Sequence, residues 1–132
     1  SYSMNCYVGT RPANVEAPLS LNSTYRVYLK AAELATSGSA NRFVFIDVNP
    51  ASICTPGFGV SMNSDVFVHY PSTLHRGAGV VSFADTHVEV RKWVDARTKK
   101  SLPSGADRIS HNDSSANNLD LRWLRDRATV RK

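Results

Sequence analysis

The first eight residues, SYSMNCYV, alternate polar with apolar or aromatic positions, and a period of two predicts a strand that Gly9 and Pro12 end. Residues 11–22, rich in Pro, Asn and Ala, read as a loop. TYRVYLK (24–30) alternates again, with Tyr25, Val27 and Leu29 on one side and Arg26, Tyr28 and Lys30 on the other. AAELA (31–35) then either extends that strand or turns into a short helix, and TSGSAN is a turn region built on Gly38. FVFIDV (43–48) is the most apolar run and predicts a central strand; Asn49-Pro50 ends it, because proline lacks the donor a continuing ladder needs. From Ala51 to Pro71 the signals are mixed, and VFVHY (66–70) reads as a strand or a helix end.

AGVVSFA (78–84) and HVEVRKWV (87–94) predict a β-hairpin. In its second arm Val88, Val90 and Lys92 alternate with His87, Glu89, Arg91 and Trp93, which makes one face apolar and the other mostly polar. Residues 95–118 form a long loop containing Pro103 and Gly105, of a length a compact domain tolerates only when something ties it down. NLDLRWLRDRA (118–128) predicts a short helix capped by Asn118, with Leu121, Leu124 and Ala128 on one stripe. Strands followed by a terminal helix predict one α+β domain over residues 1–132, dominated by antiparallel sheet.

Composition narrows the function classes. A chain of 132 residues, 42% of them hydrophobic, suffices for one core, and it contains no apolar run of the roughly 18 residues that cross a bilayer. The net charge of +5 falls entirely in the second part of the chain. Arg91, Lys92, Arg97, Lys99 and Lys100 form one basic group, and Arg122, Arg125, Arg127, Arg131 and Lys132 form another. Either they make a solvated basic face or they attract anionic lipid or an acidic protein partner; no aromatic interleaving, zinc-finger or helix-turn-helix pattern supports nucleic acid. Cys6 and Cys54 match no metal-ligand spacing, and read either as one disulfide or as buried thiols.

Three sets of residues carry candidate chemistry. His75, Asp85 and His87 are of the right types for a metal site or a His-Asp acid/base pair acting on water, with small esters or lactones as natural substrates. His69 and His111 share no recognisable spacing. No G-x-S-x-G elbow or cysteine-protease signature supplies a nucleophile. The loop HNDSSANNLD (111–120) gathers oxygen donors from Asn112, Asp113, Ser114, Asn117 and Asp120, a set suited to Ca2+, with Asp113, Asn117 and Asp120 the foremost candidates, although it is not an EF-hand. The hairpin tip poses its own problem. A two-residue primed turn needs positive φ, which glycine accepts and a β-branched residue resists, so Thr86 after Asp85 predicts a longer loop in which Asp85 accepts backbone hydrogen bonds.

His75, the nine residues RGAGVVSFA and then Asp85 resemble the His-x9-Asp-Gly motif of prepilin-type, pseudopilin-like bacterial proteins, with Thr86 in place of the glycine. SYSMN, FVFIDVNPASI, YPSTLHRGAG, SFADTHVEVRKWVDARTK and DLRWLRDRATVR resemble that family in the same order, over most of the chain. The resemblance implies the globular head of a type IV pilin-like or type II secretion pseudopilin subunit: an antiparallel sheet domain displayed outside the cytoplasmic membrane and in contact with other pilin-like subunits or secretion-system proteins. It also implies an N-terminal hydrophobic helix, processed by a prepilin peptidase, which these residues do not include. Some major pseudopilins hold calcium in a C-terminal loop, which adds to the reading of residues 111–120. On this reading the role is structural, and the small metal-dependent hydrolase is the alternative.

Overall fold

A computed structural model describes residues 1–9 and 24–132. The loop expected over 11–22 lies outside the described residues. Strands β1 (Tyr2–Asn5), β2 (Phe43–Asp47), β3 (Gly57–Phe58), β5 (Ala78–Phe83) and β6 (Val88–Lys92) form one sheet in the order β3-β1-β2-β5-β6. A small second sheet pairs β4 (Val66–Phe67) with β7 (Asp113–Ser114). Helix α1 (Ala31–Thr36) is short, and α2 (Leu119–Ala128) closes the fold.

The sheet is mixed where an antiparallel one was expected. β1 with β2, β2 with β5 and β5 with β6 are antiparallel, but β3 joins β1 in parallel. The cause lies after β2, where Asn49 caps a tight turn over Pro50–Ser52 by accepting from Ala51 N at 3.0 Å. The chain then reverses, and a segment reversed with respect to β2 runs the same way as β1. TYRVYLK forms no regular strand. Tyr25 bridges Arg131 and Tyr28 bridges Val8, so the two buried positions are three apart and Leu29 is left exposed. Of the two options for AAELA the helix is realised, because the Glu33 carboxylate accepts from the N–H groups of Leu29 and Lys30 at 2.7 and 3.0 Å.

The core lies between the sheet and α2. Phe43, Ile46, Val81, Phe83 and Trp93 meet Leu121, Leu124 and Ala128 there. Asn118 caps α2, its side-chain oxygen accepting from Asp120 N and Leu121 N at 2.9 and 3.2 Å. At the other end buried Arg42 donates to Asp126 O at 2.6 Å, placing a cation on the carbonyl end of the helix dipole. Gly79 lets Trp93 cross β5: a Cβ there would stand 2.9 Å from Ser72 O, the atom to which Trp93 Nε1 donates at 2.8 Å.

The loop over 95–118 is held at several points. Ile109 is fully buried and its N–H donates to Ala51 O at 2.7 Å, while β7 pairs with β4. Buried Asp120 is the main fastening. Its carboxylate accepts from Val94 N at 3.0 Å, Asp95 N at 2.9 Å and Thr98 Oγ1 at 2.8 Å.

Candidate functional site

Strand alternation places Tyr2 and Met4 of β1, Phe45 of β2, Val80 and Ser82 of β5, and Val88 and Val90 of β6 on the sheet face opposite α2. The register agrees: Met4 faces Phe45, Phe45 faces Ser82, Ser82 faces Val88 and Val80 faces Val90. Arg91, on the other face of β6, lies 4.8 Å from the centre of the Trp123 ring on α2. The apolar side of β6 therefore looks outward and its polar side looks toward the helix. Val90 is 69% exposed, Val88 60%, Tyr2 64% and Phe45 46%, so β6, β1 and β2 each present exposed apolar side chains on this face, with Ser82 of β5 standing between Phe45 and Val88. Soluble surfaces carry scattered apolar residues as a matter of course; four large ones on one sheet face are a larger apolar exposure than isolated side chains make.

His75 stands before β5 and Asp85 after it, at opposite ends of a six-residue strand about 20 Å long. His75 faces Asp47, with Nε2 3.4 Å from the carboxylate. Asp85 and His87 do meet, at 2.5 Å between Oδ1 and Nδ1, and His87 Nε2 lies 3.4 Å from Glu89. The hydrogen bond to Asp85 holds the His87 imidazole above its ordinary pKa, and the ring stacks on Phe83 with centres 4.3 Å apart. The nine-residue spacing thus spans one strand and gathers no catalytic triad.

The hairpin tip explains the motif's Asp. Phe83 N donates to His87 O and Thr86 N to Phe83 O, each at 3.0 Å, leaving a three-residue loop of Ala84, Asp85 and Thr86. Asp85 Oδ1 accepts from His87 N at 3.2 Å. Thr86 takes φ +79°, the left-handed position at which such a loop prefers glycine.

Within residues 111–120 the carboxylates of Asp113 and Asp120 are engaged by the protein itself. Asp113 Oδ2 takes Lys100 Nζ and the Tyr70 hydroxyl, both at 2.8 Å, and these hold its carboxyl below the usual range. Asp120 is the buried fastening described above. Asn117, at φ +58°, donates its N–H to Asp65 at 2.9 Å. Part of the basic excess is likewise engaged within the fold: Arg91 and Arg127 lie on the Trp123 ring, exposed Arg97 pairs with Asp95, and Arg125 with Asp65.

A different cluster assembles at the β3 side of the fold. Cys54, His69 and His111 bring one ligand atom each to within 4.8 Å of one another, the only group of three or more His, Cys, Asp or Glu side chains so placed among the described residues. Cys54 is an exposed free thiol. His69 is buried beside Phe58, with Nε2 3.1 Å from the Cys54 sulfur and its ring centre 5.2 Å from that of His111. Gly59 N donates to His69 Nδ1 at 2.7 Å, which makes Nδ1 the acceptor and leaves the proton of the neutral ring on Nε2. Burial, and then the neighbouring His111, push the His69 pKa down to about 4, so the ring is neutral at physiological pH. His111 has the opposite arrangement. Its Nδ1 lies 2.8 Å from Val68 O, an acceptor only, so Nδ1 carries the proton and the Nε2 lone pair is available.

The three residues come from the segment before β3, the segment after β4 and the long loop. Their spacing gives no signal; only the pairing of β4 with β7 brings the loop back across Val68. No family model, curated protein or solved structure matches the chain.

Proposed function

We propose that this chain is a structural head domain of a pilin-like or type II secretion-like assembly, displayed outside the cytoplasmic membrane and working through protein contacts. The observation that carries the reading is the uncovered sheet face of Tyr2, Phe45, Val88 and Val90, on the side away from α2. Covering side chains that are already partly screened would stabilise a contact by about 1 kcal/mol each. Lys92, paired with Ala78 at the end of the same face, gives that surface a charged rim. The ordered likeness of five sequence blocks to pseudopilin-like proteins names the class of partner.

The test is a double variant, Phe45→Asp with Val90→Asp, in a two-hybrid assay against the pilin-like and secretion-system proteins of the source cell. Both positions are exposed, so the folded domain is expected to survive, as circular dichroism would verify, while association is lost. Unchanged association of a folded double variant would refute this surface as the contact.

A further inference from the structure

We infer that Cys54 and His111 form a binding site for cuprous copper, with His69 as the hydrogen-bond donor that positions the sulfur. This does not depend on the docking role, since the cluster lies beside β3 and the apolar face is carried by β1, β2, β5 and β6.

Ring chemistry decides the metal. Were His69 to bind a cation through Nε2, its proton would have to sit on Nδ1, where Gly59 N–H already points from 2.7 Å. Two hydrogens would then face each other in a buried site. His69 is therefore excluded as a ligand and retained as an N–H donor to the Cys54 sulfur at 3.1 Å, a bond that strengthens as the thiol becomes thiolate. His111 offers Nε2, and its Nδ1 hydrogen bond to a backbone carbonyl is the support that metal-bound imidazoles regularly have.

The donor set that remains is one thiolate and one imidazole. No carboxylate joins them among the described residues. A tetrahedral Zn2+ site with four protein ligands is unattainable with such a set, whereas Cu+ accepts two ligands in a line and is favoured by soft thiolate. Metal-sulfur and metal-nitrogen bonds of about 2.3 and 2.0 Å, end to end, span about 4.3 Å. The cluster's ligand atoms, one from each residue, lie within 4.8 Å of one another, an upper bound that admits this span. Binding replaces the S–H bond of Cys54 with an S–Cu bond and releases one proton to solvent; the copper enters and remains in the +1 state. The exposure of Cys54 leaves the site open to a copper donor.

The experiment uses reduced, metal-free protein under anaerobic conditions, titrated into the coloured cuprous complex of bicinchoninate. The expected result is withdrawal of one Cu+ per chain. Withdrawal is expected to be abolished in Cys54→Ser and in His111→Gln, the latter chosen because an amide can still donate to Val68 O. His69→Gln, whose amide oxygen can still accept from Gly59 N, is expected to keep binding with a loss of about ten- to a hundredfold. Near-ultraviolet circular dichroism checks that each variant is folded. X-ray absorption of the loaded protein should show one sulfur and one nitrogen. Binding that survives Cys54→Ser, a folded His69→Gln that binds no copper, or a preference for Zn2+ over Cu+ would each overturn the assignment.

Discussion

Replacing Thr86 with glycine should stabilise this domain, although it deletes a side chain and adds none. Thr86 holds φ +79° at the last position of the Ala84-Asp85-Thr86 loop, and its side chain is exposed. Left-handed backbone costs an L-residue roughly 1–2 kcal/mol, with a β-branched one at the upper end. Glycine escapes that cost but loses more backbone freedom on folding, about 0.5–1 kcal/mol. The difference is a net gain of about 1 kcal/mol. For a chain of this size that corresponds to roughly 2–4 °C in Tm. The loop hydrogen bonds from Thr86 N to Phe83 O, from Phe83 N to His87 O and from His87 N to Asp85 are unaffected by the substitution, so no compensating loss is expected. Urea unfolding followed by far-ultraviolet circular dichroism, with the m-value fixed across variants, measures the change. Thr86→Asn, a residue that tolerates this region, should fall between the two. A glycine variant equal to or less stable than the parent would refute the assignment of strain to this position.

Asp120→Ala should destabilise the fold by about 2–4 kcal/mol, since it leaves Val94 N, Asp95 N and the Thr98 hydroxyl without their acceptor and frees the long loop; urea unfolding and faster hydrogen exchange over 94–98 would register it. Acid should weaken the domain through His69. Its folded pKa is about 4 against an ordinary 6.5, so the unfolded chain takes up a proton first as pH falls. The stability contributed by the neutral ring is complete above 6.5 and is lost as pH drops toward 4. For this group alone the loss between pH 7.5 and pH 5 is about 2 kcal/mol. Urea unfolding at those two pH values, with chelator present, should show that difference in the parent and lose it in His69→Gln; equal pH dependence in both would contradict the buried neutral ring.

How far the sequence could be read depended on whether a feature has a period. β2 and the β5-β6 hairpin follow from apolar runs and alternation, and α2 from Asn118 followed by Leu121, Leu124 and Ala128 at helical spacing. Alternation fixes which residues share a face but not which face is covered. At β6 the apolar positions Val88 and Val90 are the exposed ones, because Arg91 and Trp93 pack toward Trp123. The parallel pairing of β3 with β1 involves two residues of β3, Gly57 and Phe58, too short a stretch for any periodic signal. TYRVYLK alternates, but among the described residues its two halves pair with different segments, Tyr25 with Arg131 and Tyr28 with Val8.

Site chemistry was less legible, because it depends on partners remote in sequence. Asp113 and Asp120 suit a hard cation as residue types, yet Lys100, Tyr70, Val94, Asp95 and Thr98 supply the donors that meet their carboxylates. Cys54, His69 and His111 had no pattern at all. Their chemistry follows from two backbone contacts, Gly59 N to His69 and His111 to Val68 O, which set the ring tautomers. Thr86 is a mixed case: the loop has three residues, as its residue type suggested, yet Thr86 itself takes the positive φ, +79°, that a β-branched residue resists.

The uncovered sheet face is the central claim, and in-cell cross-linking tests it most directly. A photoreactive amino acid would replace Val90, which is 69% exposed, and in a separate strain Arg108, far along the chain in the long loop. Irradiation and mass spectrometry of the products should recover a pilin-like or secretion-system protein joined at position 90 and not at position 108. Products that are the same from both positions, or none from position 90 while the protein is folded and exported, would contradict the claim.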